Sequence, residues 1–291
     1  MTNEKASLFR ELLKNQAYIT GVGARDALEA KLIQRAGFDF VWASGFCISA
    51  AAGLPDASIL SMKHFVDQAR SMNEVIDLPI IFDADTGYGN AINVIYTTKI
   101  LEEAGMAAMC IEDKSFPKDT SLLAGGRQEL LNATEFSNKI KAAKDTQKSN
   151  DFCVIARTEA LIAGLGPEEA MKRATLYAEA GADLIFIHSK SKTPDEIISF
   201  VNQWNNPVPL VLVPTSYPDL TEDKIKELGK VKVVIYANQV IRAAVKATQQ
   251  VLERIKTDKG IYGLGDSIAK VTDIFDLQEV EEMKRHERKY L

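Results

Sequence analysis

Several side chains with catalytic potential stand where an apolar run of the chain ends. Asp83 and Asp85 follow "PIIF", and Glu112 follows "AAMCI". Three hard oxygen donors of this kind suit Mg²⁺, or Mn²⁺, because such an ion keeps several waters and needs only one or two carboxylates directly. Asp83 and Asp85 share a parity along an extended strand, so the spacing predicts that both point inward together. Arg157 ends "FCVIAR" and His188 ends "LIFIH". An arginine facing a metal site makes a fork for a carboxylate or a phosphonyl group. The chain has only 3 histidines, so a zinc cluster is disfavoured, and His188 reads as a hydrogen-bond partner of a substrate. Trp42-Ala43-Ser44-Gly45-Phe46 ends another run with small residues where backbone amides can approach an anion. Together these residues point to metal-assisted chemistry on a small anionic molecule.

The elements that must position them follow from the same runs. "AYITGVG", "FVWASG", "PIIFDAD", "AAMCIED", "FCVIARTEA", "LIFIHS", "PLVLVPT" and "VVIYAN" alternate with helical patterns, among them 24–37, 92–105 and 167–181. Eight apolar strands alternating with helices predict an α/β fold, a (β/α)8 TIM barrel, whose active sites lie at the strand ends. The rival doubly wound sheet calls for a glycine-rich phosphate loop after its first strand, and "GVGARD" (21–26) supplies only a fragment of one. No linker divides the chain, so residues 1–291 read as one barrel domain. After an eighth helix at about 240–256, "TDKGIYGLGDS" breaks the pattern. A final helix is expected over 267–289, within an extension of about 257–291. Its apolar positions Ile268, Val271, Ile274, Phe275 and Leu277 have no place in a closed barrel, which predicts burial against another subunit in a homodimer or homotetramer.

Composition narrows the class further. The chain has 46% hydrophobic and 26% charged residues and a formal charge of −5, with no long single-sign block. That balance disfavours a nucleic-acid or anionic-membrane partner. The N-terminus is a polar amphipathic helix with no apolar signal core, and no apolar run approaches the ~20 residues that span a bilayer. Cys47, Cys110 and Cys153 are far apart and read as reduced thiols of a cytoplasmic protein. Cys47 is the thiol nearest the mouth, but it lacks an adjacent base.

With "SGFCISAAAGLPD" (44–56), "DADTGYGN" (83–90), "EDKSFPKDTS" (112–121) and "ARTEA" (156–160), the chain resembles the phosphoenolpyruvate mutase/isocitrate lyase superfamily over essentially its whole length. Isocitrate and methylisocitrate lyases carry a catalytic Cys in a Lys-Cys-Gly-His stretch after strand four, where this chain has none. Mutases look like EDKxFPKxNS, with Asn where this chain has Thr120. The hydrolases of phosphonopyruvate resemble "EDKSFPKDTS" followed by Gly126-Arg127-Gln128-Glu129-Leu130, and this is the nearest resemblance. One corner departs from it: Gly23-Ala24-Arg25-Asp26 is more like the lyases than the Ala-His-Asn of mutases and hydrolases.

The resemblance implies Mg²⁺-dependent cleavage of the P–C bond of phosphonopyruvate. The alternatives are the phosphoenolpyruvate mutase isomerisation and, behind it, C–C lysis of a small 2-oxo or dicarboxylic acid. Asp85 is then expected to ligate the metal, with Asp56, Asp83 and Glu112 holding its waters. Trp42, Ser44 and the amides of Gly45 and Phe46 are expected to bind substrate, and Arg157 and His188 to contact the phosphonyl group. "DKSFPKDTSLLAGGRQ" is expected to act as a gate over the mouth, bringing Lys118, Thr120 and Ser121 to the ligand and excluding water. The resemblance also implies that the C-terminal helix is exchanged between subunits.

Overall fold

Each of the eight apolar runs forms a strand: β1 (Ile19–Ala24), β2 (Phe40–Ala43), β3 (Ile80–Asp83), β4 (Ala108–Glu112), β5 (Cys153–Thr158), β6 (Leu184–Ile187), β7 (Leu210–Leu212) and β8 (Val231–Tyr236). The computed structural model describes residues 3–291. All neighbouring strands are parallel, and β8 pairs with β1, so the sheet closes into a barrel in chain order. Closure is what separates this fold from the doubly wound sheet. The expected (β/α)8 barrel is therefore the fold observed.

Helices connect the strands: α1 (Glu4–Asn15) precedes β1, followed by α2 (Ala27–Arg35), α3 (Gly45–Ala51), α4 (Met62–Asn73), α5 (Ala91–Glu103), α6 (Ala133–Thr146), α7 (Gly166–Glu179), α8 (Asp195–Gln203) and α9 (Glu222–Leu228). The side chain of Asp26 accepts from the Glu29 amide and starts α2, so this helix begins later than the periodicity of 24–37 indicated. The short helix α3 was not expected. Ser44 caps it, its hydroxyl accepting from the Cys47 amide.

Alternation along the strands fills the barrel in layers. Phe40 and Trp42, Ile81, Ala108 and Cys110, Cys153 and Ile155, and Leu184 and Phe186 are buried in one cluster, which α1 joins through Ala6 and Phe9. Gly21 faces this interior. A methyl group there would lie 2.3 Å from the Phe40 ring, so the glycine of "GVGARD" makes room for an aromatic side chain rather than for a phosphate.

The chain divides into two compact units, Met1–Asn238 and Gln239–Leu291. The second holds α10 (Gln239–Asp258), a short 3-10 turn at Gly265–Ser267, α11 (Val271–Leu277) and α12 (Val280–Tyr290). The single final helix expected over 267–289 is therefore two helices. Glu279 between them adopts φ +57°, a left-handed conformation that cannot continue an α-helix. No helix among the described residues is long and apolar enough to cross a membrane.

Candidate active site

The alternation that packs the barrel also aims its last layer. Cys110 and Glu112, Ile155 and Arg157, and Phe186 and His188 are pairs two residues apart, so each polar member continues an inward-facing row beyond an apolar one. Glu112 is in register with Arg157 across β4 and β5, and their charged groups stand 3.3 Å apart. Strand alternation does not aim Asp85. β3 ends at Asp83, and Asp85 sits beyond it with φ +49°. This uncommon conformation for a non-glycine residue is held because the Asp85 carbonyl accepts the Glu112 amide at 2.8 Å. The shared strand parity of Asp83 and Asp85 is thus corrected to a pinned turn that still buries both carboxylates.

Four carboxylates form one cluster. Lys118, carried on the loop between β4 and α6, places Nζ 2.6 Å from Asp85 Oδ1, 3.2 Å from Asp56 Oδ2 and 4.0 Å from Glu112 Oε1. Burial alone would lower the lysine pKa, but Asp85, Asp56, Glu112 and Asp83 hold it well above the ordinary value. Burial pushes the Asp85 carboxyl up to about 7 despite Lys118, with the neighbouring acids adding to the rise, and it raises Asp83 in the same way. The Gly45 amide donates to Asp83 Oδ2 at 3.1 Å, and a Cβ on Gly45 would sit 3.1 Å from Asp83 and 3.2 Å from Asp85.

A second cluster adjoins it around Glu159, which is fully buried. Its Oε1 accepts from Arg157 Nε at 2.5 Å and lies 3.0 Å from His188 Nδ1. Its Oε2 accepts from Ser121 at 2.6 Å and lies 3.4 Å from Lys114 Nζ. Arg157 and His188 hold Glu159 well below the usual carboxylate range although burial opposes them. Burial, then Arg157, lowers His188, so the imidazole is neutral near pH 7. Arg157 Nη2 is 2.8 Å from Nδ1. Nδ1 thus sits between the Arg157 guanidinium, which can only donate, and Glu159 Oε1 at 3.0 Å, which can only accept.

The site's charge and donor set fit a divalent cation. Asp56, Asp83, Asp85, Glu112 and Glu159 face Lys114, Lys118 and Arg157, five negative groups against three positive. With every carboxylate ionised, as a bound cation would favour, the deficit equals the charge of one divalent ion. Asp85 Oδ2 and Asp56 Oδ1 are buried without a hydrogen bond among the described residues, while Asp85 Oδ1 is met by the Lys118 ammonium at 2.6 Å and Glu112 Oε1 by it at 4.0 Å; buried oxygens are costly unless something positive meets them. No group of three or more His, Cys, Asp or Glu among the described residues is arranged to enclose an ion by itself. An oxygen-ligated ion that keeps waters, as Mg²⁺ does, fits that arrangement.

The loop over the site has a fixed base, two buried residues and an exposed tip. Asp113 and Leu131, and Ser115 and Glu129, are tied by backbone hydrogen bonds around an antiparallel bridge between Lys114 and Leu130. Lys118 and Ser121 are buried, while Phe116 and Leu122 to Gly125 are exposed. Thr120 is half-buried, its carbonyl accepting from the Gln128 side chain.

The residues expected from sequence are largely brought together, with three differences. Trp42 is 3% exposed and stands edge-on to Phe186, whose ring lies 4.8 Å from the Arg157 guanidinium; it belongs to the packed floor. The Gly45 amide is committed to Asp83, which leaves the Phe46 amide as the other backbone donor expected there; the Phe46 ring is exposed. Ser121 is fully engaged by protein partners. Glu159 and Lys114 were missed, although each shares strand parity with the Arg157 or Glu112 two residues before it. Burial pushes the Cys47 thiol up to about 12, so it is not a nucleophile.

The profile of the phosphoenolpyruvate phosphomutase family matches residues 9–256. The chain belongs to the phosphoenolpyruvate mutase family. A phosphonopyruvate hydrolase of Variovorax sp. (strain Pal2) is 49% identical to it over 291 residues, covering 100% of both chains. A family structure, the phosphoenolpyruvate phosphomutase of Streptomyces platensis subsp. rosaceus, superposes with a TM-score of 0.95 at 44% identity, covering 98% of this chain and 99% of the other. The structure of a phosphonopyruvate hydrolase complexed with oxalate and Mg²⁺ superposes with a TM-score of 0.93 at 47% identity, covering 100% and 99%.

Proposed function

We propose that this protein hydrolyses the P–C bond of phosphonopyruvate to give pyruvate and phosphate. The observation that carries the reading is the loop "EDKSFPKDTS" seated over the barrel mouth with Lys118 at the carboxylates of Asp56, Asp85 and Glu112, in a chain whose full-length relatives include a phosphonopyruvate hydrolase.

Asp85 would ligate Mg²⁺ (with Mn²⁺ as the substitute), and Asp83, Glu112 and Asp56 would fix its surroundings. When bound, the ion would supply Lewis acidity that stabilises negative charge on the substrate's 2-oxo group. Ser44 accepts the Cys47 amide and keeps its own proton to donate to the substrate, together with the Phe46 amide. Arg157 Nη1, which has no partner among the described residues, donates to a phosphonyl oxygen, and His188 contacts the same group. The P–C bond breaks with its electron pair remaining on C3, which takes up a proton. The oxygen of water bonds to phosphorus and a water proton is released. A loose, metaphosphate-like transition state asks for positioning and positive charge, which Lys118 and Arg157 supply, and Thr120 orients the water.

The phosphoenolpyruvate mutase reaction is the second reading, favoured by the fit to the Streptomyces phosphomutase structure. It needs the same groups with water kept out. The lyase-like corner Gly23-Ala24-Arg25-Asp26 has a packing role here. A Cβ on Gly23 would fall 1.9 Å from the Ala237 carbonyl oxygen, and Arg25 pairs with Asp26 and Glu29.

We treat residues 1–291 as one barrel domain with a helical extension from about 257, assembling as a homodimer or homotetramer with that extension exchanged. The three thiols are buried and unpaired, which supports a reducing, cytoplasmic setting. Incubation with phosphonopyruvate and Mg²⁺, followed by phosphorus NMR, tests the function. Inorganic phosphate is the expected product; phosphoenolpyruvate instead would establish the mutase reading, and an unchanged spectrum would sink both.

A further inference from the structure

Ser121 has the bonding pattern of a connector. Its hydroxyl has one proton, given to Glu159 Oε2 at 2.6 Å, and it accepts from Lys114 Nζ at 2.8 Å and from Arg157 Nη2 at 2.9 Å. That uses its whole hydrogen-bonding capacity, so no part of it is left for a substrate. Lys114 also donates to the Asp119 carbonyl at 2.8 Å, and so holds the loop at two successive places. Lys114 is 1% exposed and Glu159 0%, and Glu159 is the one carboxylate paired with that buried ammonium among the described residues. The Glu159 amide is fixed in turn by Asp113 Oδ1 at 2.8 Å.

Ser121 is also the point where the loop meets the substrate-facing arginine. Arg157 divides its donors among Glu159, Ser121 and His188. Removing the Ser121 oxygen leaves Nη2 with His188 Nδ1 alone.

We propose that Ser121, Glu159 and Lys114 form a latch that couples closure of the gate to the orientation of Arg157, with Glu159 as the positioning residue for both Arg157 and His188. Closure then does two things in one step: it seals the mouth and turns Arg157 Nη1 and His188 Nε2 toward the phosphonyl group. The energetic gain belongs to the closed, reacting state, so it acts on turnover more than on substrate capture. The inference rests on the proposed phosphonyl chemistry for its kinetic arm, but the latch itself is independent of which product forms.

The test uses the full-length protein with Ser121→Ala, Ser121→Thr and Glu159→Gln. Steady-state turnover of phosphonopyruvate with Mg²⁺ is measured alongside amide hydrogen exchange of residues 113–131, with and without oxalate and Mg²⁺. Ser121→Ala is expected to lower kcat about 10- to 100-fold, the range for hydrogen bonds to charged groups, with KM within about threefold. Exchange in the loop should accelerate about tenfold in the presence of oxalate. Ser121→Thr, which keeps the hydroxyl, should recover most of both. Glu159→Gln should lower kcat at least as far, and circular dichroism checks that it remains folded. Parental kcat and parental exchange in Ser121→Ala would overturn the latch, and so would a loss confined to KM with exchange unchanged, which would make Ser121 a substrate contact. If the parent yields neither phosphate nor phosphoenolpyruvate, the proposed function fails, and the exchange comparison still decides the latch.

Discussion

Asp85 combines deep burial, a left-handed backbone and a carboxylate oxygen, Oδ2, without a hydrogen bond among the described residues, and such features concentrate where function is served at the expense of stability. Its carboxyl is pushed up to about 7. A group whose pKa is raised on folding contributes stability that is complete below its unfolded value, about 4 for aspartate. That stability is lost as the pH rises through the folded value. Asp85→Asn removes this loss. In chelator, the variant should melt several degrees above the parent at pH 8 and level with it at pH 4, while releasing no phosphate. An equal or lower melting temperature at pH 8 would contradict the charge accounting of the site. Thr120 is the residue that separates the two readings of the reaction. Thr120→Asn should reduce phosphate release and divert part of turnover to phosphoenolpyruvate, because the longer amide fills space that water needs. Phosphorus NMR of the product mixture reads the ratio, and a parental rate of hydrolysis would show that Thr120 does not choose the product.

At the scale of elements, the barrel depends on close fits between neighbouring strands. Gly21 on β1 faces Phe40 on β2, and a methyl group at 2.3 Å from the ring cannot be absorbed without displacing it. Gly21→Ala should destabilise by roughly 1–3 kcal/mol, the usual range for overpacking. Phe40→Leu added to it should restore part of that loss, since the smaller side chain vacates the space. Denaturant titration of the single and double variants measures the coupling, and simple additivity would mean that the ring is not the obstacle. The loop between β4 and α6 shows a different economy. Its base is held by backbone ladder bonds, its middle by the side chains of Lys118 and Ser121, and its tip is exposed, which is the construction expected of a part that opens.

For the whole molecule, the C-terminal unit carries exposed apolar side chains: Ile268 is 48% exposed, Val271 66%, Phe275 49% and Tyr262 97%. Several large exposed apolar side chains on one unit suit a contact with another molecule, and a second copy of the chain is the occupant proposed here. Sedimentation at micromolar concentration should therefore give a dimer or tetramer. The double substitution Val271→Asp with Phe275→Asp should shift it to monomer and leave the barrel's melting transition in place. A parent that sediments as a monomer would rule the assembly out.

Much of this protein was legible in order along the chain. Strand alternation is local, because successive side chains must point to opposite faces, and so the apolar runs and the inward members Glu112, Arg157 and His188 were visible without any knowledge of packing. The eightfold repeat of strand and helix set the barrel for the same reason, and only closure against β8 was left to the structure. What the sequence alone did not determine depends on contacts between distant segments. Asp85 reaches the site through a left-handed turn pinned by Glu112 rather than through strand parity. The break at Glu279 lies in a helix whose local pattern gave no reason to stop. Ser121 looked like a substrate contact until the fold brought Lys114, Arg157 and Glu159 around its single hydroxyl, because a side chain's partners are set by which loops meet, and that is decided only when the barrel closes.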